Sequence, residues 1–416
     1  MTTLLALLAL AQDPSARVAE LAPELEAAEP SRIYRAVERL AELGPAVAPL
    51  LEARAERARG DAKAYLLLAA AEARRSALLP GGGRVRRFSI SYAPQDLATL
   101  VDDFRRRSGA RLLVGPSDPA DLPQVRVDLR EATFAEALVE IARAGRVAPR
   151  RQGEDLLLES CPVEPPSFTY ADYLLRLQSF TQRRTIDFRR PARNRIELYL
   201  DALWDPHVRV GRSGPAEIRE ALDDRGRKLV PAAPDPAARA VPMAAPWPPG
   251  QDVDGGSTIE LEVPGDRVAT ISLLRGALPV LIVKASVELT LDPPAEGSAA
   301  RADGFELRVL KHDPARNRLE LELSAPGRRP GDWKSMPRSV TACDRSGKGV
   351  YLALEEQDGP ADVARFTART YDEDGRRAVL RAGDAPEPRL RKVAVTVATE
   401  CVERPVPFEF RELKVR

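Results

Sequence analysis

Histidine is the side chain most often used to move protons near neutral pH, and this chain has two, His207 and His312. Neither has a Cys or His nearby, so the inventory excludes a histidine-based zinc site and argues against a Ser-His-Asp triad. Each reads as a lone surface or hairpin histidine. The three cysteines, Cys161, Cys343 and Cys401, form no CxxC pair, which excludes a thioredoxin-type motif. Cys343 and Cys401 fall in one segment and could pair under oxidising conditions, with buried thiols as the default alternative. Gly211-Arg-Ser-Gly214 is one residue short of GxSxG, and Ser346-Gly-Lys-Gly349 lacks the outer residues of a phosphate loop. Both read as turns. The acidic runs Asp252-Val-Asp254-Gly-Gly and Asp372-Glu-Asp374-Gly375 are too poor in oxygen ligands for a full calcium loop and suit hairpin turns. Carboxylates are plentiful, yet no pair stands out as a glycosidase acid and base. Trp204, Trp247 and Trp333 are candidates for stacking on a sugar, with core or loop packing as the simpler role. These residues assign no catalytic, cofactor or metal site, and the expectation is a protein that is not an enzyme and carries no cofactor.

Charge is nearly balanced, with Lys+Arg 63 against Asp+Glu 62, which argues against bulk attraction to nucleic acid or an anionic membrane. Only eight of the basic residues are Lys, a bias that matches the abundance of Ala and Pro in a GC-rich coding sequence. The opening MTTLLALLALAQ carries a short apolar run, Leu4 to Leu10, followed by the small-x-small string Ala9-Leu10-Ala11. Residues 1–11 therefore read as a signal peptide, or else as the first turns of a helical segment. No later stretch has the length of a membrane-spanning helix.

A chain of 416 residues exceeds one core, and three Pro/Gly-rich joints divide it: Leu79 to Gly83, Cys161 to Pro166 and Asp292 to Gly297. The first segment, 13–78, is helical. Ser31 can cap a helix with the face Ile33, Val37 and Leu40, and Gly44-Pro45 stops it. Helices follow with Val47, Leu50 and Leu51, and from Asp61 with Tyr65, Leu68 and Ala69. Its string resembles a HEAT-type helical repeat, and a lone hairpin of that kind must bury its face on a neighbour.

The segment 84–160 has the clearest pattern. Phe88, Ile90 and Tyr92 alternate as a strand; Pro94 opens a helix with Leu97, Leu100, Val101 and Phe104 on one face, and Gly109 ends it. Strands are expected at 111–114 and, from Val125, Val127 and Leu129, at 124–129. Thr133 and Glu136 form a capping box for a helix with the face Phe134, Ala137, Leu138 and Ile141. Gly145 ends that helix, and strands at 147–151 and 155–159 complete a β-α-β-β-α-β-β order. One-sided helices imply two layers. The segment holds 13 basic against 12 acidic residues, so it carries no standing positive field. The string from Phe88 to Gly145, with Asp128 to Leu138 as its most telling part, resembles the secretin and TonB short N-terminal domain. That resemblance covers about a fifth of the chain and implies a periplasmic domain that contacts a partner protein or a neighbouring copy.

The remaining segments, 167–292 and 303–416, are strand-rich and repeat one another. Pro191-Ala-Arg-Asn-Arg-Ile-Glu-Leu198 recurs as Pro314-Ala-Arg-Asn-Arg-Leu-Glu-Leu321, Asp224-Arg-Gly-Arg227 recurs near Asp344 to Lys348, and Ile271 and Leu273 align with Val393 and Val395. In both, the Pro-Ala-Arg-Asn run reads as a hairpin loop before an alternating strand. Each copy is expected to be an immunoglobulin-like β-sandwich.

The expected fold is thus multidomain α+β: a helical segment, a small two-layer β-α-β-β-α-β-β domain and two tandem antiparallel β-sandwiches. Together with the resemblance, this implies a non-catalytic, exported scaffold or adaptor, periplasmic or extracellular, making protein–protein or self contacts in a secretion or envelope assembly. The alternative is a carbohydrate- or envelope-polymer-binding protein acting through the sandwiches. No nucleic acid partner and no integral membrane segment are expected.

Overall fold

The computed structural model describes residues 13–27, 29–115, 123–152, 155–161, 163–185, 193–232, 256–263, 268–313, 318–328, 338–344, 349–357, 363–371 and 390–414. The run Leu4 to Leu10, Trp247, Trp333, both acidic turns, Pro191-Ala192, 314–317 and 345–348 lie outside these residues. The chain is a multidomain α+β protein in which strands outweigh helices. Among the described residues no helix is long and apolar enough to cross a membrane.

The helical segment comprises α1 (Pro14–Leu21), α2 (Pro30–Glu42), α3 (Ala48–Ala55) and α4 (Gly60–Ser76). Helix α2 begins with Pro30 at its first position and Glu29 at the N-cap; Ser31 lies inside the helix and its hydroxyl donates back to Glu29. The pre-set φ of proline, not a serine cap, fixes this start. Ile33, Val37 and Leu40 are buried as their spacing requires, and so are Tyr34 and Glu38. The segment has no core of its own. Its apolar side chains merge into one cluster with Phe168, Tyr170, Phe408 and Phe410 from distant strands.

In the next unit, β1 (Arg87–Asp96) leads into α5 (Leu97–Ser108), then β2 (Leu112–Val114), β3 (Gln124–Thr133), α6 (Phe134–Gly145), β4 (Val147–Gln152) and β5 (Asp155–Ser160). Pro94 belongs to β1 and does not open the helix. The cap is Asp96, whose carboxylate accepts the Thr99 N–H at 2.8 Å. The Thr133–Glu136 capping box is present in both directions. The single sheet of a two-layer unit is replaced by two: β1 pairs with β3, and β2-β5-β4 form a second sheet. Helix α5 contacts β1 and β2, while α6 contacts β3 and β4, so the helices serve both sheets. A short chain of five strands splits in this way because Phe104 and Phe134, stacked at 5.7 Å, and their neighbours fill one core fed from both sides. Leu174 and Leu203 join this core from the unit that follows.

That unit contains β6 (Ser167–Tyr170), β7 (Tyr173–Thr185), β8 (Arg193–Trp204), β9 (Val210–Ser213), β10 (Glu217–Asp223), β11 (Val230–Pro231), β12 (Ser257–Glu262) and β13 (Thr270–Leu291). The last unit contains β14 (Ala299–Ala302), β15 (Phe305–Asp313), β16 (Arg318–Ser324), β17 (Arg338–Asp344), β18 (Gly349–Gln357), β19 (Val363–Tyr371) and β20 (Leu390–Lys414). The strands run in the same succession, β6-β7-β8-β12-β11 in one and β14-β15-β16-β19-β18 in the other. The repeated Pro-Ala-Arg-Asn run follows β7 in one unit and β15 in the other. Each of these strands is paired antiparallel to its successor, as a hairpin requires.

The two units are not separate beads. Strand β20 pairs antiparallel with the whole length of β13, from Thr270↔Lys414 to Leu291↔Val393, with one irregularity between Val283 and Ser286. At the middle, Leu281 faces Glu403, 122 residues further on, the same spacing at which Ile271 recurs as Val393. The ladder therefore reads alike from either strand about that pair. Its halves divide between two cores. Val287, Leu289 and Leu291 of β13 pack with Val393, Val395 and Val397 in the second unit, while Val406, Phe408 and Phe410 of β20 pack in the first. The boundary read at 292/303 is thus crossed by strand exchange, and the end of the second copy completes the first.

Gly276 marks the tightest point of this ladder. A Cβ there would lie 2.4 Å from the Glu217 carbonyl oxygen and 2.6 Å from Phe408 Cζ, so any side chain forces the strands or the ring apart. Gly276→Val is expected to cost about 1–3 kcal/mol, read as a lower urea midpoint of unfolding. An unchanged midpoint would show that β10, β13 and Phe408 are not closely packed.

Candidate functional site

The β6–β7 connection is a two-residue turn, Ala171-Asp172, between the paired Tyr170 and Tyr173. Such tips normally lie in solvent, but here Ala171 and Asp172 are buried. Ala171 takes a positive φ of 52°, a region unfavourable to a residue with a Cβ, and its N–H donates to Glu38 Oε2 at 3.0 Å. Helix α2 thus caps a hairpin tip with a buried carboxylate. The other oxygen of Glu38 accepts from Arg87 at the start of β1, and Arg87 also reaches Glu42 at 2.9 Å. Arg87 carries the second unit onto the helical segment.

Arg404 of β20 lies beside this tip. Its Nε stands 3.3 Å from Glu72 Oε2 on α4, and its guanidinium lies 5.5 Å and 5.7 Å from the Tyr170 and Tyr173 ring centres. A buried cation held by a carboxylate and aromatic faces is costly to make but, once made, permits one seating. Glu72 also pairs with Arg75.

Asp205 follows β8, and its N–H donates to the Asp172 carbonyl at 2.9 Å. Its carboxylate accepts from Arg86 Nη2 at 3.1 Å and lies 3.0 Å from His207 Nδ1. Arg86 also donates to the Ser108 carbonyl at 2.6 Å, so it ties α5 to the β8 end. His207 is therefore no isolated surface residue, although 60 % of its side chain is exposed; it is oriented by Asp205 and stands against Gly109. Asp172 and Asp205 are the carboxylate pair that no sequence pattern marks. They are 33 positions apart in an acid-rich chain, and only the β7–β8 pairing, with Tyr173 opposite Trp204, brings them together.

These residues line a cleft of about 300 Å³ where the second unit, the β8 end and the β13–β20 ladder meet. Asp172 and Asp205 lie in its wall with Arg404; Arg84, Arg209 and Lys284 also line it; and Leu79, Val208 and Ile282 supply apolar surface. One carboxylate oxygen of Asp172, Oδ1, is buried and has no hydrogen-bond partner. Burial, then the charge of Asp205, push the Asp172 carboxyl from its ordinary 3.8 up to about 7. Burial likewise raises Glu38 from 4.5 to about 7, against the pull of Arg87.

A second buried group sits further along the ladder. Glu409 is fully buried and accepts from Tyr65 Oη at 2.8 Å, Arg275 Nε at 3.0 Å and Arg411 Nε at 2.7 Å. Arg275 continues to Asp61 at the start of α4. Burial and the Glu409 charge raise the hydroxyls of Tyr34 and Tyr65 above the usual tyrosine range, so both stay protonated donors.

The residues singled out by sequence fall elsewhere. His312 lies on β15 opposite Leu319. Gly211-Arg-Ser-Gly214 is not a turn: Gly211 to Ser213 are part of β9, and Gly214 donates to the Pro279 carbonyl at 2.7 Å. Trp204 ends β8 with 6 % of its surface exposed and the Arg151 guanidinium 4.2 Å over its ring, leaving no open face for a sugar. Cys343 stands opposite Lys392 on β20, well removed from Cys401 on the same strand, and no disulfide joins the two. Among the described residues no three His, Cys, Asp or Glu side chains are grouped to hold a metal ion.

No protein-family model matches this chain, and no curated protein matches it. A solved structure described as "the crystal structure of the conserved domain protein from Bacillus anthracis" is similar at 11% identity over 60% of this chain and 90% of that one, with a TM-score of 0.16. At that score the likeness carries no argument.

Two outcomes are expected from these clusters. Arg275→Met leaves the Glu409 carboxylate buried with one cation fewer and should cost about 3–5 kcal/mol; Arg275→Met with Glu409→Leu should recover much of it, both measured by urea unfolding. In the folded chain Asp172 and Glu38 hold protons that the unfolded chain has released, so their contribution to stability falls as pH rises from about 4 to about 7. Asp172→Asn with Glu38→Gln should flatten the decline in urea midpoint between pH 5 and pH 8; an unaltered slope would refute the assignment.

Proposed function

We propose that the chain is a non-catalytic scaffold or adaptor that is exported and makes protein–protein contacts in a secretion or envelope assembly, in the periplasm or outside the cell. The observation that carries this reading is the use made of ionisable side chains at the joints. Arg86 and Arg87, adjacent at the entry to β1, bind Asp205 on one side and Glu38 with Glu42 on the other. Charges committed to joining three units hold the second unit in one orientation, which suits presentation more than turnover. The β-α-β-β-α-β-β order of that unit supports its likeness to the secretin and TonB short N-terminal domain, and with it an extracytoplasmic contact role. The helical segment is read as HEAT-like and the paired β units as immunoglobulin-like sandwiches, both common carriers of protein contacts.

Within the second unit the three-stranded sheet ends at β2, where Leu113 is 43 % exposed. A short edge strand carrying an exposed leucine suits strand addition by a partner segment. Leu113→Lys is expected to reduce recovery of the crosslinked partner from envelope fractions by about tenfold while leaving the unfolding midpoint unchanged. Recovery equal to wild type would overturn the contact site. Removing 84–160 outright is a poorer test, because it uncovers Leu174 and Leu203.

A further inference from the structure

The cleft between Asp172 and Arg84 has a charge pattern that the joints do not use. Most of its ionic groups are committed: Asp205 to Arg86 and His207, Arg404 to Glu72, and Lys284 to Glu400. Two groups are left over. At the base, Asp172 is 8 % exposed, lines the cleft and keeps Oδ1 without a partner. At the rim, Arg84 is exposed and has no ion-pair partner among the described residues. A buried acceptor left unmade is expensive, and an exposed guanidinium lining the same cleft is available to an anion. Leu79, Val208 and Ile282 supply apolar lining to the same cleft.

We propose that this cleft binds a small zwitterion of the α-amino-acid type with an apolar side chain, its ammonium on Asp172 and its carboxylate on Arg84. The volume of about 300 Å³ is ample for a molecule of that size. A neutral ligand brings no counter-charge to Asp172, and a simple anion pairs with Arg84 without satisfying the base. Glu72 and the two tyrosine faces engage Arg404 and offset part of the charge it presents at this site. Burial holds the Asp172 carboxyl protonated up to about pH 7, and an ammonium seated on it favours the carboxylate, so binding near neutrality releases a proton. The ligand contacts residues of the β1 entry, the β6–β7 turn and the β13–β20 ladder at once, so occupancy stiffens the joint between them.

Calorimetric titration of the full chain with L-leucine tests this, alongside leucinamide, which lacks the carboxylate, and 4-methylpentanoate, which lacks the ammonium. Leucine is expected to bind and to raise the melting temperature, and each analogue to bind at least about tenfold more weakly. Arg84→Ala and Asp172→Asn should each weaken leucine by about 10- to 100-fold, as loss of a charge-assisted hydrogen bond does. Arg84 is exposed, so that variant keeps its fold, checked by circular dichroism. Wild-type heats at pH 7 should differ between phosphate and Tris buffers by the proton released, and those of Asp172→Asn should not. Absence of leucine binding at millimolar concentration, binding of either analogue as tight as that of leucine, or wild-type affinity in Arg84→Ala overturns the proposal.

Discussion

Strands β13 and β20 pair without a break in direction from Thr270↔Lys414 to Leu291↔Val393, and that ladder constrains everything built on it. Each strand is long enough to pass through two cores, so neither β unit can be moved without moving the other. Side chains on both faces of the ladder are buried where a second layer covers it, which accounts for the run from Val406 to Phe410 having no exposed position. Gly276 is the concession to this crowding: Glu217 and Phe408 occupy the space a side chain would take.

The ladder also sets where charge is buried. Arg275, Arg404 and Glu409 stand on it and face the helical segment or the Tyr170–Tyr173 turn. At the equivalent positions 122 residues away are Val397, Ile282 and Val287. One half of a duplicated framework has exchanged aliphatic side chains for ions, and the helices dock on that half. Buried ion pairs add little net stability over well-packed apolar residues but penalise every alternative seating. The duplicated framework thereby acquires a unique face.

Much of the local structure is legible in the residues themselves. Alternation at Val125, Val127 and Leu129, the Thr133–Glu136 box and the left-handed Gly109 all express constraints satisfied within a few residues. Starts set by proline chemistry are harder, since Pro30 opens a helix whereas Pro94 sits in a strand, and the preceding residues do not separate the two cases. Pairing partners are not legible. The repeat shows that Ile271 and Val393 are equivalent, but a period of two says only that a strand is covered, never by which strand. The cleft was hidden for the same reason. Asp172 and Asp205 belong to ordinary turn strings, and His207 looks solitary until the β7–β8 pairing places it over Gly109.

Strand exchange has a consequence for the order in which the chain is made. Residues 402–413 close the core that Phe168, Leu198 and Leu274 begin, so a ribosome emitting the chain from its N-terminus releases the helical segment and the first β unit long before either can be sealed. Their apolar faces wait, while more local structures such as the α5–α6 unit can form at once. A nascent chain with this topology keeps those faces open to chaperones and proteases until β20 has been made, and the first core is sealed only when that strand arrives.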